Sequence, residues 1–309
     1  MSISTCIVAI ARDEEAFLDE WLIYHREILK FTRFIIYDDG PRQSLERFLL
    51  PHAEYVTVIP WYERHRSLNG RNRQTKAYVD SLLRMRSGTD WVLYLDIDEF
   101  LVLPENADIA QFLQRFVMAS AVSFNWRIFG NCGFFENPAG LVTASLIRRR
   151  AKPYRLHKTI SRPEAIKEIR SSHSCELKEG AIWMDTNGFI FQDRLYEGID
   201  SIAWINHYRC RSFFNWMQRV HRGDVVSDGL ATAGQTTFWN GSEKQLHLQM
   251  SNSINQMKRF ATEVACFDNE LVDRSMLKFS PEIGHHMERI ISDRFSNYYR
   301  LNTLSSFEF

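Results

Sequence analysis

The chain predicts an α/β fold, with a mostly parallel central sheet carrying helices on both faces and a mainly helical C-terminal region. Apolar runs of strand length occur at Thr5 to Ile10, Arg33 to Tyr37, Tyr55 to Ile59 and Trp91 to Leu95. Amphipathic stretches separate them, and strands spaced by helices imply parallel pairing. Three of the runs end in charge, at Arg12-Asp13-Glu14, Asp38-Asp39 and Asp96-Asp98. Open α/β sheets gather ligands at the carboxyl ends of their strands, so these acidic groups mark one edge as the site.

The first strand leads into a helix from about Glu14 to Leu29, where Phe17, Trp21, Tyr24 and Ile28 recur at helical spacing. Asp13 is its expected N-cap, and Glu14 and Glu15 suit the positive helix start. Further helices are expected around Gln74 to Met85 and over Ile109 to Val117. From Ala121 to about Tyr208, Gly, Pro and short strand-like runs suggest a mixed-strand extension. Beyond Ser212 the pattern is helical, with Phe213, Trp216, Met217 and Val220 as an apolar stripe. Asp228 to Gly241 reads as a loop before helices near Lys244 to Cys266 and Pro281 to Phe295. The expected division is residues 1–211 as the α/β domain and 212–309 as a helical region packed on it.

A chain of 309 residues can bury a large core, and 45% hydrophobic with 25% charged residues excludes disorder as the default. The formal net charge is zero, so no global field draws the protein to nucleic acid, and partner choice falls to local sites. Cys6, Cys132, Cys175, Cys210 and Cys266 are scattered and never in Cys-x-x-Cys spacing, which argues against a zinc site or a disulfide framework. No run approaches the roughly 18 apolar residues of a membrane span. These features point to a reduced, cytoplasmic setting and leave peripheral contact with the inner membrane open.

The segment Trp91 to Phe100, WVLYLDIDEF, is an apolar run that stops at two aspartates one residue apart. In extended backbone Asp96 and Asp98 share a face, forming an oxygen-rich claw suited to a hard divalent ion such as Mg or Mn. The plainer alternative is that both cap a following helix or sit in a solvated turn. Two enzyme classes use such a pair at a strand end: metal-dependent nucleotide-sugar transferases and aspartate-nucleophile phosphatases. In the phosphatases the pair sits on the first strand and is followed by Thr or Val, whereas here it lies on about the fourth and is followed by Glu99.

Five segments in order, ARDEEAFLDEWLIYH (Ala11 to His25), FIIYDDG (Phe34 to Gly40), DWVLYLDIDEFL (Asp90 to Leu101), NWRIFGNCG (Asn125 to Gly133) and INHYRCRSFFNWMQRVHRG (Ile205 to Gly223), resemble glycosyltransferase family 92. They are also similar to bacterial family-2-like transferases. The resemblance covers the first two thirds of the chain. It implies a GT-A fold, which is Rossmann-like, and an inverting transfer from a nucleotide-diphosphate sugar, expected to be a UDP-sugar, with Mn or Mg. The acceptor class it implies is a glycan or glycolipid under construction.

Carried onto this chain, the resemblance makes Asp98 a direct metal ligand, Asp96 a residue facing both the donor ribose and the metal, and His207 a third ligand. It places Arg12, Glu14, Asp39 and Gln74 at the nucleotide. Arg219 and Arg222, three apart on a predicted helix, share a face and suit a diphosphate clamp; a solvated helix face is the plain alternative. The basic groups at Arg64, Arg66, Arg71 and Arg73 and at Arg148-Arg149-Arg150 read chiefly as solvent-facing. Trp126, Phe129 and Gly130 are candidates for an acceptor platform or for core packing. An inverting enzyme needs a general base, and Glu136 is the first candidate, ahead of Asp185, Asp193 and His173. Departures from the family pattern at Asp13 and Pro41 keep a rival in play, a carbohydrate-binding scaffold that retains the fold without catalysis.

Overall fold

The structure is a computed structural model and describes residues 3–40, 45–62, 70–85, 88–104, 107–173, 175–191, 198–222, 255, 257–258, 260–264 and 267–304. The expected loop Asp228 to Gly241 and most of the helical stretch near Lys244 to Cys266 lie outside these residues, as do Pro41, Arg64, Arg66 and Asp193.

The strands in chain order are β1 (Thr5–Ala11), β2 (Arg33–Asp38), β3 (Val56–Pro60), β4 (Trp91–Tyr94), β5 (Glu99–Val102), β6 (Ala121–Ile128), β7 (Arg148–Arg149), β8 (Tyr154–Ser161), β9 (Ile166–Ile169), β10 (Cys175–Leu177), β11 (Trp183–Asp185), β12 (Trp204–His207) and β13 (Leu271–Val272). The main sheet runs β3-β2-β1-β4-β8-β6-β12-β5, with β11 beside β6. Pairing is parallel from β3 through β2 and β1 to β4, and antiparallel where β8 meets β4 and β6. The α/β class stands, and the sheet is mixed beyond β4, where the sequence turns to short strands.

Both faces of the parallel part are buried, as crossover helices require. On one face Val8, Ile35, Tyr37, Ile59 and Val92 pack with Ala77 and Tyr78 of the Gly70–Arg84 helix. On the other, Trp21 of the Glu15–Ile23 helix meets Phe34 edge-on at 5.9 Å and donates its indole N–H to Glu99 O at 2.8 Å. That helix continues through a π-helical turn, Tyr24–Ile28, close to the expected end at Leu29. Here the ring of fully buried His25 bridges backbone groups, with Nδ1 2.8 Å from Trp21 O and Nε2 accepting from Leu101 N at 3.3 Å.

Asp13 is not the N-cap. It takes a left-handed φ of 54°, and Glu14 occupies the cap position without a side-chain cap hydrogen bond. Asp tolerates this region better than most residues, so Asp13 supplies the sharp turn from strand to helix. The third expected helix is shorter, Ile109–Leu113, and tightens into a 3₁₀ turn at Gln114–Phe116. The C-terminal helix runs Ser280–Leu304, longer than expected. It is anchored by Arg294, which donates to Asp19 Oδ1 at 2.8 Å while its guanidinium lies over Phe48.

Contact density divides the chain into two compact units. One comprises residues 1–126, 154–206 and 278–309; the other comprises 127–153 and 207–277. In the second unit Arg149 and Arg127 pair with Asp273, and Arg150 and Arg209 with buried Asp268. Of the basic run, Arg149 and Arg150 are thus tied into their own unit, while Arg148 is exposed as expected. Phe129 is buried against Tyr208, and Trp126 is buried in the first unit, so core packing accounts for both aromatics.

Candidate active site

Strand β4 ends at Tyr94, and Asp96 to Glu99 form a turn closed by Glu99 N to Asp96 O at 3.1 Å. The chain then enters strand β5, so the two aspartates do not cap a helix. The extended claw expected from the sequence is a turn instead, and Ile97 still faces inward at 3% exposure.

Asp96 is held on both oxygens. Oδ1 accepts from Gln74 Nε2 at 2.8 Å, with the Tyr78 hydroxyl at 3.4 Å, and Oδ2 accepts from Lys158 Nζ at 2.8 Å. The same ammonium stands 3.4 Å from Glu99 Oε2, which accepts from Asp96 N at 2.9 Å, and it also donates to Ser172 O at 3.3 Å. Lys158 and Glu99 are fully buried, whereas the Asp96 side chain keeps 29% exposure.

Burial opposes ionisation of Asp96, but Lys158 outweighs it and holds the carboxyl below the ordinary value despite the like charge of Asp98. Burial drives Glu99 well above its ordinary value, with Asp96 and Asp98 adding to the effect. Burial would lower Lys158, yet the two carboxyl groups keep it raised and cationic. Lys158 thus stands between two carboxyl groups of opposite tendency, Asp96 held toward its charged form and Glu99 pushed toward its neutral one. Glu99 Oε1 is buried with no hydrogen-bond partner among the described residues.

Two strands over, beyond β1, Asp38 and Asp39 have separate partners. Asp38 accepts from Gly40 N at 3.0 Å and Leu45 N at 2.8 Å. Asp39 Oδ1 accepts from Arg73 Nε at 2.7 Å, both side chains being 6% exposed. The guanidinium groups of Arg73 and Arg12 lie 5.6 Å and 5.7 Å from the ring centre of Tyr62, which follows β3. A cationic and aromatic surface thus borders the carboxyl ends of β1, β2 and β3, with Asp96 and Asp98 leaving β4 on the other side of β1.

Glu14 sits at the cap of the first helix, where its carbonyl accepts from Phe17 N and Leu18 N. His173 lies in the first unit, its ring edge-on to Trp126 at 5.2 Å. Asp185 accepts from Asn187 N and Phe189 N, closing a hairpin turn. Glu136 is exposed in the second unit, and His207 ends β12 there, its carbonyl accepting from Phe129 N at 3.0 Å. Arg219 and Arg222 fall on the Phe213–Arg222 helix, their side chains outside the described structure. Lys158, Tyr78, Tyr62 and Glu99 are the site residues that spacing did not single out. The available signal was Lys158 itself, a cation inside the strand-like run YRLHKTIS.

Among the described residues no three His, Cys, Asp or Glu side chains form a ready metal cage. An ionised, part-exposed Asp96 beside Asp98 fits the other mode of divalent binding, in which one or two carboxylates share the ion with substrate phosphates and water. No helix among the described residues is long and apolar enough to cross a membrane.

Among solved structures the chain is similar to glucosyl-3-phosphoglycerate synthase from Mycobacterium tuberculosis, 16% identical with a TM-score of 0.31 over 53% of this chain and 58% of that one. A glycosyltransferase family 92 protein of Oryza sativa subsp. japonica is 29% identical over 216 residues, 67% of this chain and 33% of that protein. One of Ricinus communis is 25% identical over 228 residues, 70% of this chain and 37% of that protein. The chain therefore spans about a third of the length of the curated relatives it matches. The family model for glycosyltransferase family 92 matches residues 2–223, and the chain belongs to that family.

Proposed function

We propose that this chain is a metal-dependent, inverting GT-A glycosyltransferase that moves a sugar from a nucleotide-diphosphate sugar, in our reading a UDP-sugar, to a glycan or glycolipid acceptor. The observation that carries the reading is the convergence of Asp39-Arg73, the Tyr62 surface with Arg12, and Asp96-Asp98 at the carboxyl ends of adjacent parallel strands. Family membership supports the same activity.

In this reading Tyr62 and its two guanidinium groups face the nucleotide, and Asp39, fixed by Arg73, accepts hydrogen bonds from the base. Asp96 accepts from the ribose and Asp98 holds Mn or Mg, with His207 the further ligand that the family resemblance implies. The ion when bound would stabilise charge on the departing diphosphate as a Lewis acid. An acceptor hydroxyl attacks the anomeric carbon as the bond to the diphosphate oxygen breaks, and a base takes the hydroxyl proton. Glu136 is our candidate for that base, and Arg219 and Arg222 for contacts to the diphosphate.

The test is nucleoside diphosphate release from UDP-, GDP-, TDP- and CDP-sugars, with and without Mn, in wild type and Asp98→Ala. Release that requires metal and falls at least 100-fold in Asp98→Ala is expected. Release indifferent to both would sink the metal assignment. A wild type that gains no thermal stability from any nucleotide with Mn would favour the scaffold, since a ligand at a hundred times its Kd adds about 2.7 kcal/mol.

A further inference from the structure

We propose that Lys158 is a positioning residue of this site, setting the Asp96 carboxylate in the orientation that receives the donor. The inference rests on the donor-binding reading above and adds a residue outside the five segments that carry the resemblance.

The geometry is specific. Lys158 projects from β8, the antiparallel neighbour of β4, with Val92 opposite Ser161 and Leu93 opposite Ile160, so this register carries Lys158 toward the turn that follows β4. Its ammonium has three protons and three oxygens within reach: Asp96 Oδ2 at 2.8 Å, Ser172 O at 3.3 Å and Glu99 Oε2 at 3.4 Å. Glu99 Oε2 in turn accepts from Asp96 N, so backbone and side chain of Asp96 are fixed by one small network. Gln74 and Tyr78 hold the opposite oxygen. A carboxylate gripped from both sides cannot rotate to follow a ligand; its remaining lone pairs point in set directions. That suits accepting a donor hydroxyl, and it leaves Asp98 as the principal residue toward the metal.

A buried lysine between two carboxyl groups also has a purely structural explanation, and the two are separable. Losing Lys158 alone leaves Asp96 and Glu99 together without their shared cation, which is destabilising; replacing the fully buried Lys158 and Glu99 together by neutral residues of similar volume is often close to neutral. Wild type, Lys158→Met, and the double variant Lys158→Met with Glu99→Gln would be compared by thermal unfolding, by calorimetry with UDP and Mn, and by kcat and KM for the best donor of the panel. The double variant is expected to recover much of the unfolding midpoint lost in Lys158→Met. It should nevertheless bind UDP at least tenfold more weakly than wild type and show the loss chiefly in the KM for donor. Recovery of both midpoint and nucleotide affinity overturns the inference and leaves Lys158 structural. A wild type that binds no nucleotide overturns the donor-binding reading, and this inference with it.

Discussion

Arg73 and Gln74 are neighbours on one helix and divide two acidic groups of the site between them: Arg73 donates to Asp39 at 2.7 Å and Gln74 to Asp96 at 2.8 Å. The helix Gly70–Arg84 thereby ties the carboxyl end of β2 to that of β4, and its packing under the sheet fixes both carboxylates together. The two links differ in energy. Arg73→Met takes the guanidinium from a buried carboxylate and is expected to cost about 3–5 kcal/mol. Gln74→Leu removes two hydrogen bonds, one to the Tyr78 hydroxyl and one to the charged, part-exposed Asp96, and should cost less, about 1.5–3 kcal/mol. Urea unfolding of the two variants and of Arg73→Met with Asp39→Asn checks this. The double variant should recover stability, and equal losses in Arg73→Met and Gln74→Leu would show that Asp39 is not dependent on its arginine.

In the second unit, Gly130 leaves no room for a side chain. A Cβ there would stand 2.5 Å from Asn269 Oδ1, and Asn269 is held at both ends, accepting from Cys132 N at 3.0 Å and donating to Val264 O at 2.7 Å. The amide cannot retreat without giving up one of these bonds. Gly130→Ala is therefore expected to destabilise by about 1–3 kcal/mol, the usual penalty of overpacking. Asn269→Ala in the same background opens the space, so a double-mutant cycle should show strong coupling. Independent, additive losses would show that the glycine is there for another reason.

The parallel strands and the helices between them were legible because their signal is local: apolar runs of strand length, helical periodicity, and charge where the chain turns. The same locality exposed Asp39 and the Asp96-Asp98 pair, which close such runs. Lys158 was illegible for the opposite reason. Its partner Asp96 lies 62 residues away, and the antiparallel register that joins them leaves no mark in spacing. The plainer reading of Asp96 and Asp98, as caps of a following helix, fails because Glu99 begins a buried strand instead. Asp13 misled through its type, since Asp is a preferred N-cap residue and also one of the few non-glycine types that enter a left-handed turn.

His25 makes the fold sensitive to mild acid. It is fully buried among Trp21, Tyr24, Phe31 and Phe100, and burial pulls its imidazole down to about 3, although the bond to Trp21 O works the other way. The folded protein therefore refuses a proton that the unfolded chain accepts near the ordinary pKa of about 6.5. The contribution of a neutral His25 is intact above that pH. It is lost as the pH falls from about 6.5 toward the folded value, at up to about 1.4 kcal/mol per pH unit. His25→Gln supplies an amide donor and acceptor without a titrating group, and it should flatten this part of the profile while costing some stability at pH 7.5. Urea unfolding of both proteins between pH 7.5 and 5 isolates the difference from the other histidines. If the two stability curves run parallel across that range, His25 does not titrate as its burial requires.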